Sequence, residues 1–420
     1  MQPATATVTR TDHAIIRGLA LRKFEIGSLP RQRESHQRWS DLNDLRPVRP
    51  LVYIDQIPWH ELEAAHPEAL QSRCADPWLR EVESGMRREL FQWEHFPGDM
   101  IIDPVLLCPQ VGGPNGVYAD YGIKAEEVSR AGAHDVQFTP IIASLADVER
   151  IRRPKVWVDH AETERRRHSL KQAVEGAIPV VVRGITSQWH TPWDMAVRWY
   201  GVERLMTDLI DRPDLVAAVC GRMCEITGEV LDEQKRLGML DVGEGHQMIG
   251  SGGYGCTSAL PTHLEGRHAT PRDQWGCGNA QMFSEVSTRM HEEFSLRFER
   301  PVMERFGLSY YGCCEPLHRK VKMLRSIRNL RKISMSPKAD LRIGAAEVGR
   351  DYVMSFKPNP AHLASDGFDE ALVGSYLKQA VTDLRGCNTE IVLKDVTTAR
   401  GDVVRLRRWE QLAMQAAAEA

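Results

Sequence analysis

No apolar run in the 420-residue sequence approaches the ~20 residues that span a bilayer, so a transmembrane helix is excluded as an expectation. An excess of one charge is also missing. Lys and Arg number 54 against 57 Asp and Glu, giving a net charge of −3, and nothing in that balance points to nucleic acid or a membrane surface. The basic runs Arg165-Arg166-Arg167 and Arg325, Arg328, Arg331 and Lys332 sit among acidic residues, as solvated helix faces do. The nine cysteines are odd in number and scattered, which excludes a disulfide framework and implies reduced thiols. Residues 1–11 carry no apolar h-region, and a cytoplasmic location is the expectation. Internal repeats and low-complexity linkers are absent too, so nothing marks a clean domain boundary.

What is present is alternation. Ile15, Leu19 and Leu21 predict a helix over 14–24, and a second, polar helix runs to Leu42. Leu51 to Ile54 reads as the first strand, with Asp55 and Gln56 at its end. Asp76-Pro77 caps a long helix with Leu79, Val82, Met86, Leu90 and Trp93 on one face, and 100–102 reads as the second strand. Residues 112–135 look like an insertion. The apolar run 178–182, ending in Arg183, reads as a buried parallel strand. Helices are expected after Thr191-Pro192 and Pro213, the second carrying Cys220 and Cys224 one turn apart as packing residues. Residues 247–249 are a short strand candidate. The run Gly250-Ser-Gly252-Gly253-Tyr-Gly255 formally matches G-x-G-x-x-G, but no helix opens behind it, so a dinucleotide fingerprint is set aside. Strands at 308–311, 332–335, 352–356 and 390–393 then alternate with helices at 284–306, 319–329, 337–348 and 368–384, and 414–420 is expected to fray.

About eight strands joined by helices over this length predict a (β/α)8 TIM barrel at 46–410, with an N-terminal helical extension at 1–45 and a tail at 411–420. Strand ends are where such a fold gathers its chemistry. The richest of them is the loop Cys313-Cys-Glu-Pro-Leu-His318, with thiols, a carboxylate and an imidazole within six residues. Two adjacent cysteines can equally be core filler.

The chain resembles the uroporphyrinogen decarboxylase superfamily, which holds haem-pathway decarboxylases and zinc-dependent methyltransferases that work with corrinoid proteins. The resemblance rests on Tyr200-Gly-Val-Glu with Asp211-Arg-Pro-Asp214, on Gln281-Met-Phe-Ser-Glu285, on Tyr311-Gly-Cys313 in the place of a His-x-Cys, and on Ser355-Phe-Lys-Pro-Asn-Pro360. It covers 45–410. Tyr311 replaces the family's zinc-binding histidine, no cysteine stands at 394–396, and the decarboxylases' arginine-rich motif is missing near Tyr53.

The resemblance implies methyl or other one-carbon transfer, with zinc as cofactor and a corrinoid protein as methyl-donor partner; a homodimer is a separate expectation for the assembly. By their position at or just beyond predicted strand ends, Glu315, Asp55 and His246 are the expected catalytic groups. Arg183, Lys357, Asn359 and Tyr311 are expected to bind substrate, and Cys313, Cys314 and His318 to bind the metal. The alternatives are a metal-free decarboxylase acting on a small carboxylated substrate, with Asp55 or Glu315 moving protons, and a non-catalytic barrel.

Overall fold

The computed structural model describes residues 8–114, 119–125, 127–128, 137–243 and 245–420. Nine of its strands position the site: β1 (Leu51–Ile54), β2 (Leu106–Pro109), β3 (Val180–Arg183), β4 (Ser187–His190), β5 (Trp275–Gly278), β6 (Leu308–Tyr311), β7 (Leu330–Met335), β8 (Val353–Phe356) and β9 (Asn388–Leu393). Seven of them form one parallel sheet in the order β1-β9-β8-β7-β6-β5-β4, while β2 and β3 pair separately. The fold is α/β, with helices covering one face of the sheet.

Side chains alternate across a strand, and the two faces of this sheet are chemically opposite. Ile333, Met335, Met354, Phe356, Ile391 and Leu393 point into the main apolar core, which they share with the helices Leu341–Val348, Glu370–Asp383 and Val403–Ala418. The opposite face carries Tyr310, Lys332, Ser334, Ser355 and Glu390, all fully buried. Buried charges persist only when paired, and these are: Lys332 Nζ donates to Glu390 Oε2 at 2.8 Å, and Ser355 Oγ donates to Glu390 Oε1 at 2.5 Å. The register places Ser334 beside Ser355 and Ser355 beside Glu390.

Of two N-terminal helices, α1 (Arg10–Gly27) packs on the helices Pro77–His95 and His160–Val174, and α2 (Pro30–Asn43) brings Trp39 and Leu42 into one apolar cluster with Leu51 and Tyr53 of β1. Thr9 and Asp12 form a capping box that starts α1. From α2, Trp39 donates its indole N–H to Asp99 O at 2.8 Å and packs beside Tyr254. The glycine run is explained by this contact: a Cβ on Gly253 would stand 2.2 Å from the Trp39 ring and one on Gly250 would stand 2.7 Å from the Tyr310 ring. Backbone approaches aromatic faces there, and no phosphate role is required. Gly253→Ala is therefore expected to lower stability by about 1–3 kcal/mol through overpacking. Thermal unfolding of the purified variant checks it, and an unchanged Tm would remove Trp39 as the reason for the glycine.

Several sequence expectations are corrected. Residues 100–102 form no strand, because Asp99 N bonds Val52 O and Ile102 N bonds the Gln32 side chain, so the segment finds single partners in place of a ladder. Residues 247–249 contribute only one bridge, Met248 to Tyr254. The helix expected over 319–329 shrinks to Val321–Leu324 beside a short turn at Leu317–Arg319. The alanine-rich end does not fray: it is the last part of Val403–Ala418, and Ala413, Ala416 and Ala417 are buried because small side chains let the helix sit close on the core. The strand expected at 178–182 lies at Val180–Arg183 and pairs with β2, outside the main sheet. Much of the insertion expected at 112–135 lies outside the described residues.

Candidate functional site

Ladder hydrogen bonds continue past the ends of the strands and fix the residues that follow them. Asp55 N donates to Leu393 O, Lys357 N to Met335 O, and Gly312 N to Gly278 O, each at 2.8 Å. Gly312 has φ +106°, and a Cβ there would meet Leu317 and Ser334, so only glycine lets the chain turn. The turn brings Cys313 N to Glu315 Oε2 at 2.8 Å, while Ser334 Oγ donates to Cys313 O at 2.9 Å. Lys394, the residue after β9, then reaches Cys313: its Nζ lies 3.4 Å from Cys313 Sγ. Cys314 Sγ is 3.5 Å from Cys313 Sγ and 3.5 Å from Asp395 Oδ2. Lys357 Nζ donates to the hydroxyl and carbonyl of Ser355, which ties the cluster to the Lys332–Glu390 pair below.

These groups perturb one another. The contact from Cys314 holds the Cys313 thiol down to about 7, and the Lys394 ammonium adds to it against the opposing effect of burial. Cys314 is pushed the other way, by the same contact and by burial. Burial pushes the Lys357 ammonium down to about 7, although Glu390 favours its charged form. Burial likewise raises the Asp55 carboxyl above its ordinary value, against the pull of Lys394 and Lys357. Ser336 Oγ, at the end of β7, is buried with no hydrogen-bond partner among the described residues. A thiol, an amine and a carboxyl shifted from their ordinary ranges, gathered at strand ends, are groups of the kind that can move protons and hold anionic groups.

Of the expected site residues, Asp55, Lys357, Cys313 and Cys314 belong to this cluster. The others lie elsewhere. Glu315 is fully buried and also accepts from Ala280 N at 3.2 Å, so it anchors the Cys313 turn. Tyr311 points to the opposite face, where its hydroxyl donates to Glu299 Oε2 at 2.8 Å and meets His291 Nε2 at 2.9 Å. His318, on the short turn, sits by Arg319 and Asp340, and Asn359 Oδ1 accepts from Ala361 N at 3.0 Å in a local turn. Arg183 donates to Val242 O at 2.5 Å and contacts Asp241. His246 is paired with Asp103 on the open side of β1.

The residues expected to hold zinc do not fit it. Among the described residues Cys313, Cys314 and His318 do not bring three ligand atoms within 4.8 Å of one another, and an ammonium group stands against Cys313 where a second cation would be repelled. Lys394 gave no signal in the sequence, because the resemblance bears on 394–396 only through a missing cysteine. A buried network behind Tyr311 was also missed. It links Glu299, Tyr311, His291 and Lys320, and a π-helical turn at Glu292–Leu296 separates His291 from Glu299 along its helix. Cys220 and Cys224 are buried in core packing, and Cys224 also meets His190 Nε2 at 3.3 Å.

No family profile matches the chain, and no curated protein matches it. Among solved structures the chain is similar to a methyltransferase from Methanosarcina mazei, with a TM-score of 0.52 at 12% identity over 92% of this chain and 98% of that one. At that identity the likeness is one of fold: this chain shares the architecture of a methyltransferase over nearly its whole length.

Proposed function

We propose that the chain is a methyl (one-carbon) transfer enzyme on a (β/α)8-type barrel, with its reaction centre at the strand ends that carry Asp55, Cys313, Lys357 and Lys394. The observation that carries this reading is the contact between Cys313 Sγ and Lys394 Nζ at 3.4 Å. In a zinc methyltransferase a metal keeps sulfur anionic at neutral pH; here the contact from Cys314 and, after it, the Lys394 ammonium hold the Cys313 thiol down. Methyl transfer to a thiol or hydroxyl requires the acceptor to lose its proton as the new bond forms. A base whose ordinary range has been moved to about 7 is matched to that task, and Cys313 and Lys357 both qualify. Lys394 and the Ser336 hydroxyl, which has no partner among the described residues, supply donors for a polar substrate group. The donor to which the sequence resemblance points is a methylated corrinoid on a partner protein, which enters as a substrate.

A second reading has its own observation. The raised Asp55 carboxyl faces two lysines, an arrangement that suits holding a carboxylate and protonating the carbon that loses carbon dioxide. The two separate by product. Purified protein given methylcobalamin and a small aliphatic thiol is expected to cleave the methyl–cobalt bond and form the methyl thioether, at a rate that rises with pH through about 7. Carbon dioxide release from small carboxylic acids, with no thioether formed, would replace methyl transfer by the lyase.

A further inference from the structure

On the open side of β1 the fold assembles three residues that neither the strand-end cluster nor the proposed reaction uses. His36 comes from α2, His246 from the loop after Leu240, and Cys256 from the end of the glycine run. Their ligand atoms all lie within 4.8 Å of one another. We infer that His36, His246 and Cys256 form a binding site for a zinc-class divalent transition metal ion, with Asp103 orienting His246.

The parts are fixed before any ion arrives. Asn43 lies two helical turns beyond His36 on the same face of α2, and its side-chain amide donates to Tyr254 O at 2.8 Å and Cys256 O at 2.7 Å. One helix therefore holds both His36 and the backbone that carries Cys256. Gly245 adopts φ +84°, and a Cβ on it would stand 2.5 Å from Cys256 Cα, so the close passage of the two loops requires glycine. The imidazoles of His36 and His246 meet edge to face with centroids 4.9 Å apart and planes at 83°. Asp103 contacts Nδ1 of His246, which leaves the other ring nitrogen for the metal, the carboxylate–histidine arrangement that fixes ligand orientation in metal sites.

Two imidazole nitrogens and one thiolate make a borderline-soft set suited to Zn²⁺ or Co²⁺ and poorly suited to Mg²⁺ or Ca²⁺. Cys256 now donates its S–H to Gly245 O at 3.2 Å; metal binding would replace that proton, releasing it to solvent as the sulfur–metal bond forms. A groove of 530 Å³, lined by His36, His246, Asp103, Gln32, Arg33 and Gln37, reaches the site from solvent. The groove supplies the entry path, and water or a small anionic ligand beside Arg33 can complete the coordination.

The test uses the full chain stripped with a chelator and reloaded with Zn²⁺ or Co²⁺. One equivalent of Zn²⁺ per chain is expected by elemental analysis. The Co²⁺ form is expected to show a thiolate-to-cobalt charge-transfer band that is lost in Cys256→Ser and kept in Cys313→Ser and Cys314→Ser. Zn²⁺ affinity should fall by more than about 100-fold in His36→Gln and about 10-fold in Asp103→Asn. His36 is partly exposed on a helix, so its variant decides the matter if Cys256→Ser does not fold. Substoichiometric Zn²⁺, unchanged affinity in His36→Gln, or a band that follows Cys313 would each overturn the assignment. Failure of methyl transfer alone would leave it standing.

Discussion

Cys313 is expected to react with iodoacetamide at neutral pH well ahead of its neighbour Cys314, with a rate that follows an apparent pKa of about 7. The thiolate is the reactive form, so the reaction profile reports the proton directly. Lys394→Met removes the ammonium 3.4 Å away and should move the profile toward the ordinary thiol range, lowering the rate at neutral pH by about tenfold. Peptide mapping by mass spectrometry separates the two neighbouring cysteines. A profile in Lys394→Met that matches the wild type would mean that Lys394 does not poise Cys313.

The same proton has a stability counterpart. Cys313 has its folded value depressed below its unfolded one, so its stabilising contribution is present above the unfolded thiol range and is lost as pH falls through about 7. Lys357 is depressed as well, but as a base: the unfolded chain binds its proton more tightly, which disfavours folding below about 7 and ceases to matter as pH rises through the unfolded lysine range. Both effects make stability rise with pH from about 7 toward 9, and Lys357→Met should flatten that slope.

The largest expected loss of stability lies one layer below. Lys332 and Glu390 are both fully buried, with 2.8 Å between Nζ and Oε2, and Glu390 also accepts from Ser355 Oγ and from Gly253 N. Lys332→Met leaves a carboxylate in the interior with its principal counter-charge gone, which costs about 3–5 kcal/mol. Attraction between the two charges repays their desolvation only while both are present. The double variant Lys332→Met with Glu390→Leu should therefore recover much of the loss, and it would remove the link between the core and the Lys357 hydroxyl partner Ser355. Denaturant unfolding of the two single variants and the double variant gives the coupling directly. Additive losses in that cycle would mean that the charges do not compensate each other.

The site was legible where local pattern decides it. Apolar segments ending at Ile54, Tyr311, Met335, Phe356 and Leu393 are strands, and polar residues just past them fall at one end of a parallel sheet, which is how Asp55, Cys313 and Lys357 could be named. Side-chain direction was not legible. Tyr311 differs from Tyr310 by one residue and so faces the other side of the sheet, and Glu315 turns back to bond Cys313 N because the Gly312 turn aims it there. β4 was missed because Ser187, Gln188 and His190 break the apolar pattern at the edge of the sheet, and β5 because two of its four residues are glycine. His36 was invisible for a different reason. A histidine on a polar helix carries no signal until long-range packing sets it beside His246 and Cys256.

The central claim is that turnover belongs to the strand-end thiol. It is tested most directly by comparing methyl transfer from methylcobalamin to a small thiol in Cys313→Ser and in Cys220→Ala, at matched far-UV circular dichroism. Cys313 stands 3.4 Å from Lys394 at the strand ends, whereas Cys220 is buried on the helix Pro213–Arg236. The account predicts that Cys313→Ser loses at least about two orders of magnitude in rate, on the scale of removing a positioned acid–base group. Cys220→Ala is predicted to keep near-wild-type turnover with a cavity cost of about 1–3 kcal/mol in stability. Equal losses in the two variants, or full activity in Cys313→Ser, would contradict it.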